Sequence, residues 1–531
     1  MPKLFGWLPK RRWLRWSIII LGGGFLLLVV LGITVFILLQ QPAIQSRVMS
    51  FFFTMELRNP PPEPPHPSLS AGDLDRLAND ADSLENASQL FGTTNVWDVH
   101  LRFTGDEWTA LGPNRIPGVP GFMGGDGRIQ LNNPEASRPG LAGVLGIDFP
   151  WSQGTVDFGG RTLTNAAIRF KGNGTFLSAM SSYKRPYKLD LNEHVKGQKL
   201  GGVAKLNFGN LLAENSMLTD TMGYEFYREA GVPTIRTAFA RVLLSIDGRF
   251  DGRALGLYLL VEDPDAKWAE QAVGTEGVAV FKPVTYELFH YRGDDWAAYE
   301  RDYNAKTDVT AEQQQQVIAL AWLCSEADDA EFGKRIGEFI DLEEFATWLA
   351  CETTLSNYDG FFTTGQNYLM YLDPRSNRFG FSPWDLDHSW GEFPFVGTAD
   401  QRESASIWHP WTGENRFLER LFAHEPFREL YRGQLERLQA TLFQPGRLGR
   451  RLDELANIIR PFVAEESPNR LAKFEACITS DWTKGPRNGD PMDPNRPAYP
   501  LKRFFEARAK SIQAQLAGEE EGFRMPGMGK P

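Results

Sequence analysis

The sequence predicts an α+β protein of two lobes, a strand-rich N-lobe at 95–262 and a mainly helical C-lobe at 263–518, behind an N-terminal transmembrane helix. Three observations lead there. Ser17 to Leu39 is an uncharged stretch of 23 residues, long enough to span a bilayer as a helix. Period-two alternation and turn signals fill the region from Trp97 to Val261, with one helical pattern among them. Beyond residue 340 the caps and periodicities are those of helices. At 531 residues the chain exceeds what one hydrophobic core holds.

Taken in order, residues 1–16 are a basic segment (Lys3, Lys10, Arg11, Arg12, Arg15), and the next charge after the apolar stretch is Arg47. The positive-inside rule therefore puts the N-terminus in the cytoplasm and the body on the extracytoplasmic side of a cell membrane. A cleaved signal peptide fits less well, because its apolar core would run only about 7–15 residues. Residues 40–94 read as a juxtamembrane and Pro-rich linker, with Asn59–Pro67 (NPPPEPPHP) as a stiff spacer. Trp97–Phe103 alternates as the first strand of the folded body, and the Gly- and Pro-dense stretch 112–146 reads as a long surface insertion.

A helix is expected over Asn215–Glu229, closed by Gly231 and Pro233. Ala238–Ile246 and Leu255–Val261 form a strand pair around two Asp-Gly turns. Asp341 caps a further helix, with Glu344 three residues on and Ile340 placed to staple Phe345. Residues 416–466 and 499–516 are amphipathic helices, Asp481–Tyr499 is a loop, and 519–531 is a disordered tail. The net charge of −11 argues against a nucleic-acid partner. Three cysteines in no metal spacing are read as buried free thiols. Neither GxSxG nor a Walker A loop occurs, so hydrolase and P-loop readings are poor.

The most informative segment is Phe381-Ser382-Pro383-Trp384-Asp385-Leu386-Asp387-His388-Ser389-Trp390-Gly391. Carboxylates at i and i+2 of an extended stretch point to one face, and Phe379 and Phe381 predict a buried strand that ends at them. Ionised carboxylates buried without a partner are costly, and a divalent oxygen-seeking cation such as Mg2+ is the simplest partner. The expectation is a metal–nucleotide site and hence phosphoryl transfer. Lys188 alternates with Tyr187 and Leu189 in a strand, and Lys184 shares its parity, so either offers a cation for phosphate. Arg169, Lys171 and Asn173 surround Gly172 and Gly174, where backbone can approach phosphate closely or simply turn.

Five segments occur in order: Ile168–Thr175 (IRFKGNGT), Lys184–Leu189 (KRPYKL), Gly256–Glu262 (GLYLLVE), Asn357-Tyr358-Asp359 with Asn367-Tyr368, and Pro383–Asp387 (PWDLD). The set resembles the CotH family of atypical, spore-coat-type protein kinases over roughly residues 95–518. The resemblance implies an atypical protein-kinase-like two-lobed fold, ATP and Mg2+ as cofactors, and a protein substrate with Ser/Thr acceptors. It implies Asp359 as acceptor of the substrate hydroxyl proton and Asn367, Asp385 and Asp387 as metal ligands. Lys188 is then the better phosphate clamp, with Asp220, Glu225 and Glu229 of the 215–229 helix available as its acidic partner. Glu262 would end the segment joining the lobes, near the adenine. Asn367 lies eight residues after Asp359, whereas ordinary kinases place the Asn five after the Asp. Two other readings compete: a kinase-like enzyme that moves another group from ATP, and a non-catalytic envelope scaffold that keeps the fold.

Overall fold

The computed structural model describes residues 86–115, 136–479 and 498–527, together with Ser68, Leu74, Leu84 and Leu131. The expected span 17–39, most of the 40–94 linker and most of the 481–499 loop lie outside the described residues, and the first strand already begins at Gly92 within the expected linker. Among those described, no helix is long and apolar enough to cross a membrane.

Seven strands close into a barrel. These are β1 (Gly92–Phe103), β2 (Ser152–Phe158), β3 (Arg161–Phe170), β4 (Tyr187–Asp190), β5 (Lys205–Gly209), β6 (Thr237–Ile246) and β7 (Phe250–Glu262). Their order around the wall is β1-β2-β3-β4-β5-β7-β6, and the parallel pairing of β1 with β6 closes it. Every other neighbour is antiparallel. Alternation sets which side chains fill the interior. Tyr187 and Leu189 of β4 are fully buried with Val99, Val156, Ile168, Leu206 and Leu260, while Lys188 between them faces outward.

One helix of the strand-rich half, α1 (Thr219–Ala230), packs beneath the barrel. It begins four residues later than the pattern suggests. Met217 adopts a left-handed φ of 55°, and the Glu214 carboxylate accepts from Thr219 N at 3.1 Å, capping the true start. Gly231, at φ 93°, ends it as expected. The rest is largely helical, with a second sheet of β8 (Ala279–Phe281), β9 (Tyr368–Asp373) and β10 (Arg378–Pro383). Helix α2 (Leu342–Thr354) starts at the Asp341 cap, whose side chain accepts from Glu344 N at 3.1 Å. Ile340 and Phe345 are both fully buried in the helical core. Helices α3 (Arg416–Ala423), α4 (Glu425–Thr441), α5 (Pro445–Glu466), α6 (Pro468–Ile478) and α7 (Leu501–Leu516) follow it in the chain. Cys324, Cys351 and Cys477 are buried free thiols.

Two segments depart from expectation. The described part of 112–146 does not stay at the surface. Ala142 and Val144 are fully buried, and Arg301 donates to Ala136 O at 2.9 Å, drawing the segment onto the helical half. The chain after Gly518 is docked rather than loose as far as residue 527. Phe523 exchanges backbone hydrogen bonds with Ser404 and Ser406, and Met525 is buried.

Helix α5 fastens the barrel to the helices. The Lys184 ammonium donates to Glu466 Oε1, which also accepts from Leu257 N at 2.8 Å. Gly256 has φ 102°, and a Cβ there would lie 2.5 Å from the same oxygen, so only glycine lets β7 approach. Arg451 of α5 holds Glu225, and Arg447 holds Glu229, both on α1. Lys184→Met therefore strands a buried carboxylate and should cost about 3 kcal/mol in denaturant unfolding, whereas Lys184→Met with Glu466→Gln should recover most of it.

Beneath α1, Tyr227 Oη donates to Glu352 Oε1 at 2.6 Å and Asn357 Nδ2 to Glu352 Oε2 at 2.9 Å. Burial pushes the Glu352 carboxyl up to about 8 against these two hydrogen bonds. The folded chain thus holds a proton that the unfolded chain releases near 4.5. Glu352 contributes stability that is full below that value and is lost as pH rises towards 8, with a slope approaching ~1.4 kcal/mol per pH unit. Unfolding curves taken across that window should be steeper in pH for the native chain than for Glu352→Gln.

Candidate active site

The decisive loop follows β10. Trp384 is buried, and Asp385 takes a left-handed φ of 58°, so the chain turns there instead of running extended. The two carboxylates are therefore not placed by strand parity. Helix α1 places them: Asp385 N donates to Tyr224 Oη at 2.8 Å, Leu386 N to Asp220 Oδ1 at 2.6 Å, and Thr219 Oγ1 to Asp387 O at 3.1 Å. Leu386 lies so close to α1 that a Cβ on Gly223 would come within 2.7 Å of it.

The loop after α2 brings the second part. Asn367, at φ 61° just before β9, donates from Nδ2 to Asp359 O at 2.8 Å and to Asp359 Oδ2 at 3.1 Å. This geometry orients the Asp359 carboxylate and leaves the Asn367 carbonyl oxygen as an available ligand. Ligand atoms of Asp359, Asp387 and His388 all lie within 4.8 Å of one another. Burial, then the neighbouring Asp385, raises Asp359 well above the ordinary carboxylate range, against hydrogen bonds from Thr364 and Asn367. Asp387 is raised likewise by burial and by Asp385, Asp220, Asp359 and Glu214. Asp220 is pushed up to about 7 by burial and Asp385. Asp387 is only 8% exposed, and among the described residues no hydrogen bond or ion pair reaches its carboxylate. A donor set of buried, mutually repelling oxygens is what a divalent cation fits.

Across from the carboxylates stands a row of cations. Register places Arg169 beside Lys188 and Lys188 beside Asn207 on the outer barrel face, with Lys171 two residues along β3's exit. Lys188 Nζ donates to Asp263 Oδ2, which also accepts from Asn207 Nδ2 at 2.9 Å. Burial would raise Asp263, but Lys188, Asn207 and Lys205 outweigh it and hold the carboxyl below its usual range. Lys282 Nζ lies 4.5 Å and Lys171 Nζ 5.7 Å from the centroid of the Trp384 ring. Burial lowers both, offset in part by Asp385, with Lys282 at about 7. Lys306 falls to about 8 through burial and the nearby Lys188.

Of the residues singled out from sequence, Asp359, Asn367, Asp385 and Asp387 converge and Lys188 lies on the barrel side of them, while the neighbouring Arg169 guanidinium lies over the Trp151 ring, 4.9 Å from its centroid. Three do not join. Lys184 is spent on Glu466. Asn173 Oδ1 accepts from Ala142 N at 3.2 Å and pins the 136–146 segment. The Glu262 carboxylate is gripped by Arg236 and lines a separate cavity of about 360 Å³ with Arg228, Val232 and Trp268. The acidic partner of Lys188 is Asp263, not Asp220, Glu225 or Glu229. Sequence reasoning passed over Asp263, His388 and Lys282. The first two sit next to residues already singled out, whereas Lys282 carries no local signal and arrives through the pairing of β8 with β9. A double-mutant cycle should read about 2 kcal/mol of coupling between Lys188→Met and Asp263→Asn, and none between Lys188→Met and Glu229→Gln.

Comparison with known proteins agrees with this architecture. The family described as "CotH kinase protein" matches residues 168–510, which include every site residue named above. Inner spore coat protein H of Bacillus subtilis (strain 168) is 23% identical over 280 residues, covering 52% of this chain and 73% of that protein. With the family match extending over well more than half of its length, the chain belongs to the CotH family.

Proposed function

We propose that the chain is a membrane-anchored phosphotransferase that moves the ATP γ-phosphate to Ser/Thr hydroxyls of a protein, with Mg2+ as cofactor. The observation that carries this reading is the Asp387 carboxylate, buried and without a partner among the described residues, beside Asp385 and Asp359 and opposite a cluster of lysines. Phosphoryl transfer asks mainly for position and charge neutralisation, and that division of charge supplies both. Asn367, Asp385 and Asp387 would hold Mg2+, which neutralises charge on the phosphate oxygens. Lys188, fixed by Asp263, clamps the nucleotide phosphates, and Arg169, Lys171 and Lys282 extend the same positive face. Asp359, oriented by Asn367, takes the hydroxyl proton. The apolar stretch 17–39 anchors the body to the extracytoplasmic face of the membrane.

The name of the Bacillus relative favours a second reading, a coat or envelope scaffold that binds without catalysing. Clustered carboxylates held at a cost in stability speak against it. The test is transfer from γ-labelled ATP with Mg2+ to a Ser-rich acceptor, run beside Asp359→Ala. Asp359→Ala should lose on the order of 10³-fold in rate while its melting temperature stays near that of the native chain. Normal turnover by Asp359→Ala would remove that residue from its role, and absence of nucleotide binding would favour the scaffold.

A further inference from the structure

We infer that Phe395 is a specificity-determining residue for the acceptor: its exposed ring receives an apolar side chain about two to four residues from the Ser or Thr whose hydroxyl reaches Asp359. The inference rests on the phosphotransfer reading above and adds to it a class of acceptor sequence.

Large apolar side chains exposed singly are ordinary, and Trp322, Leu430 and Phe523 are examples in this chain. Phe395, 42% exposed, differs in how it is held and in where it stands. Phe393 and Val396 are buried, so the backbone is anchored on both sides of the outward ring. Arg402, itself buried, donates from Nε to Gly391 O and from Nη1 to Val396 O at 2.9 Å and Gly397 O at 2.8 Å. Thr398 then caps the short helix Ala399–Glu403, its hydroxyl accepting from Gln401 N at 3.2 Å. One guanidinium thus ties both ends of the 391–397 loop, and the ring it displays is in place before anything binds. An aromatic presented in this way needs little further ordering on contact, which is the property of a recognition anchor.

Its place follows from a chain of ring contacts. The Phe395 centroid lies 5.4 Å from that of Phe393, and Phe393 lies 5.7 Å from the His388 ring. A ring nitrogen of His388 is in turn within 4.8 Å of an Asp359 carboxylate oxygen. Phe395 is therefore no more than about 11 Å from the His388 ring, a span that about three residues of extended chain cover. A peptide whose hydroxyl sits at Asp359 and whose backbone runs toward this loop sets one side chain on the Phe395 ring. The contact on offer is hydrocarbon, so it rewards burial of apolar area, and Leu, Ile, Met or Phe is the matching acceptor side chain.

The experiment uses the full chain with Mg2+ and γ-labelled ATP. The acceptors are Ser peptides of one Ala/Gly background, in which a single Leu is moved through the positions on either side of the Ser. At one position, on one side only, Leu should lower KM about tenfold relative to Ala, with kcat changed by less than about twofold. Phe395→Ala should erase that preference and raise KM for the favoured peptide about tenfold, whereas Phe395→Leu, which keeps an apolar contact, should retain most of it. Both variants should melt with the native chain, because the ring is exposed. Transfer indifferent to the position of Leu, or a Leu preference that survives in Phe395→Ala, would overturn the role of Phe395 while leaving the phosphotransfer reading in place. Transfer to none of the peptides would remove protein hydroxyls as the acceptor, and with them both this inference and the reading it rests on.

Discussion

Like charges crowded into one short loop set the terms for everything around them. Trp384 to His388 carries two carboxylates into a buried space already occupied by Asp220 and Asp359, and Coulomb repulsion alone would drive that loop outward. Three hydrogen bonds with α1 hold it in place: Tyr224 and Asp220 accept from loop N–H groups, and Thr219 donates to the Asp387 carbonyl. The left-handed turn at Asp385 and the bare Gly223 surface let the loop reach that helix. On the opposite wall the lysines face one another at similar cost, lowered by burial and offset by Asp385. Each wall is unfavourable alone, and the two face each other with opposite charge.

Much of this was legible from local signals. The alternation of Tyr187, Lys188 and Leu189 gave the outward lysine, the Asp341 cap gave α2, and Gly231 gave the end of α1. Spacing brought out Asp385 and Asp387, and the resemblance to the CotH family added Asp359 and Asn367. What escaped were matters of pairing across distance. Lys184 and Lys188 share a parity, and nothing local says that one meets Glu466, 282 residues on, and the other Asp263. The i, i+2 rule also failed in its detail at Asp385, because a single left-handed residue breaks the extended path that the rule assumes. The 112–146 stretch looked superficial because Gly and Pro mark turns. Its burial depends on Arg301 and Asn173, which lie far along the chain.

The site is therefore a product of two kinds of information. The candidate carboxylates and their Asn are clustered in sequence and visible there. Residues that hold them are scattered: Tyr224 from α1, Asn207 from β5, Asp263 beyond β7 and Lys282 beyond β8. Closing the barrel through the parallel β1–β6 pair fixes the β3–β5 wall on which the cations stand. That wall then needs a fixed relation to the carboxylate loop, and α1 and α5 supply it.

The attachment of α5 to both the barrel and α1 has a kinetic meaning. In enzymes that close by swinging one lobe over another, a helix beside the cleft is free to shift, and its acid forms or breaks a lysine pair as a switch. Here Glu225 and Glu229 of α1 are already held by α5, and Lys188 finds its acid on a strand exit within its own barrel. The helix that supports the loop thus has no charge left to trade. A swing of the barrel against α1 would have to break the ion pairs made through α5, so opening of the short connections around the carboxylates is the less costly movement.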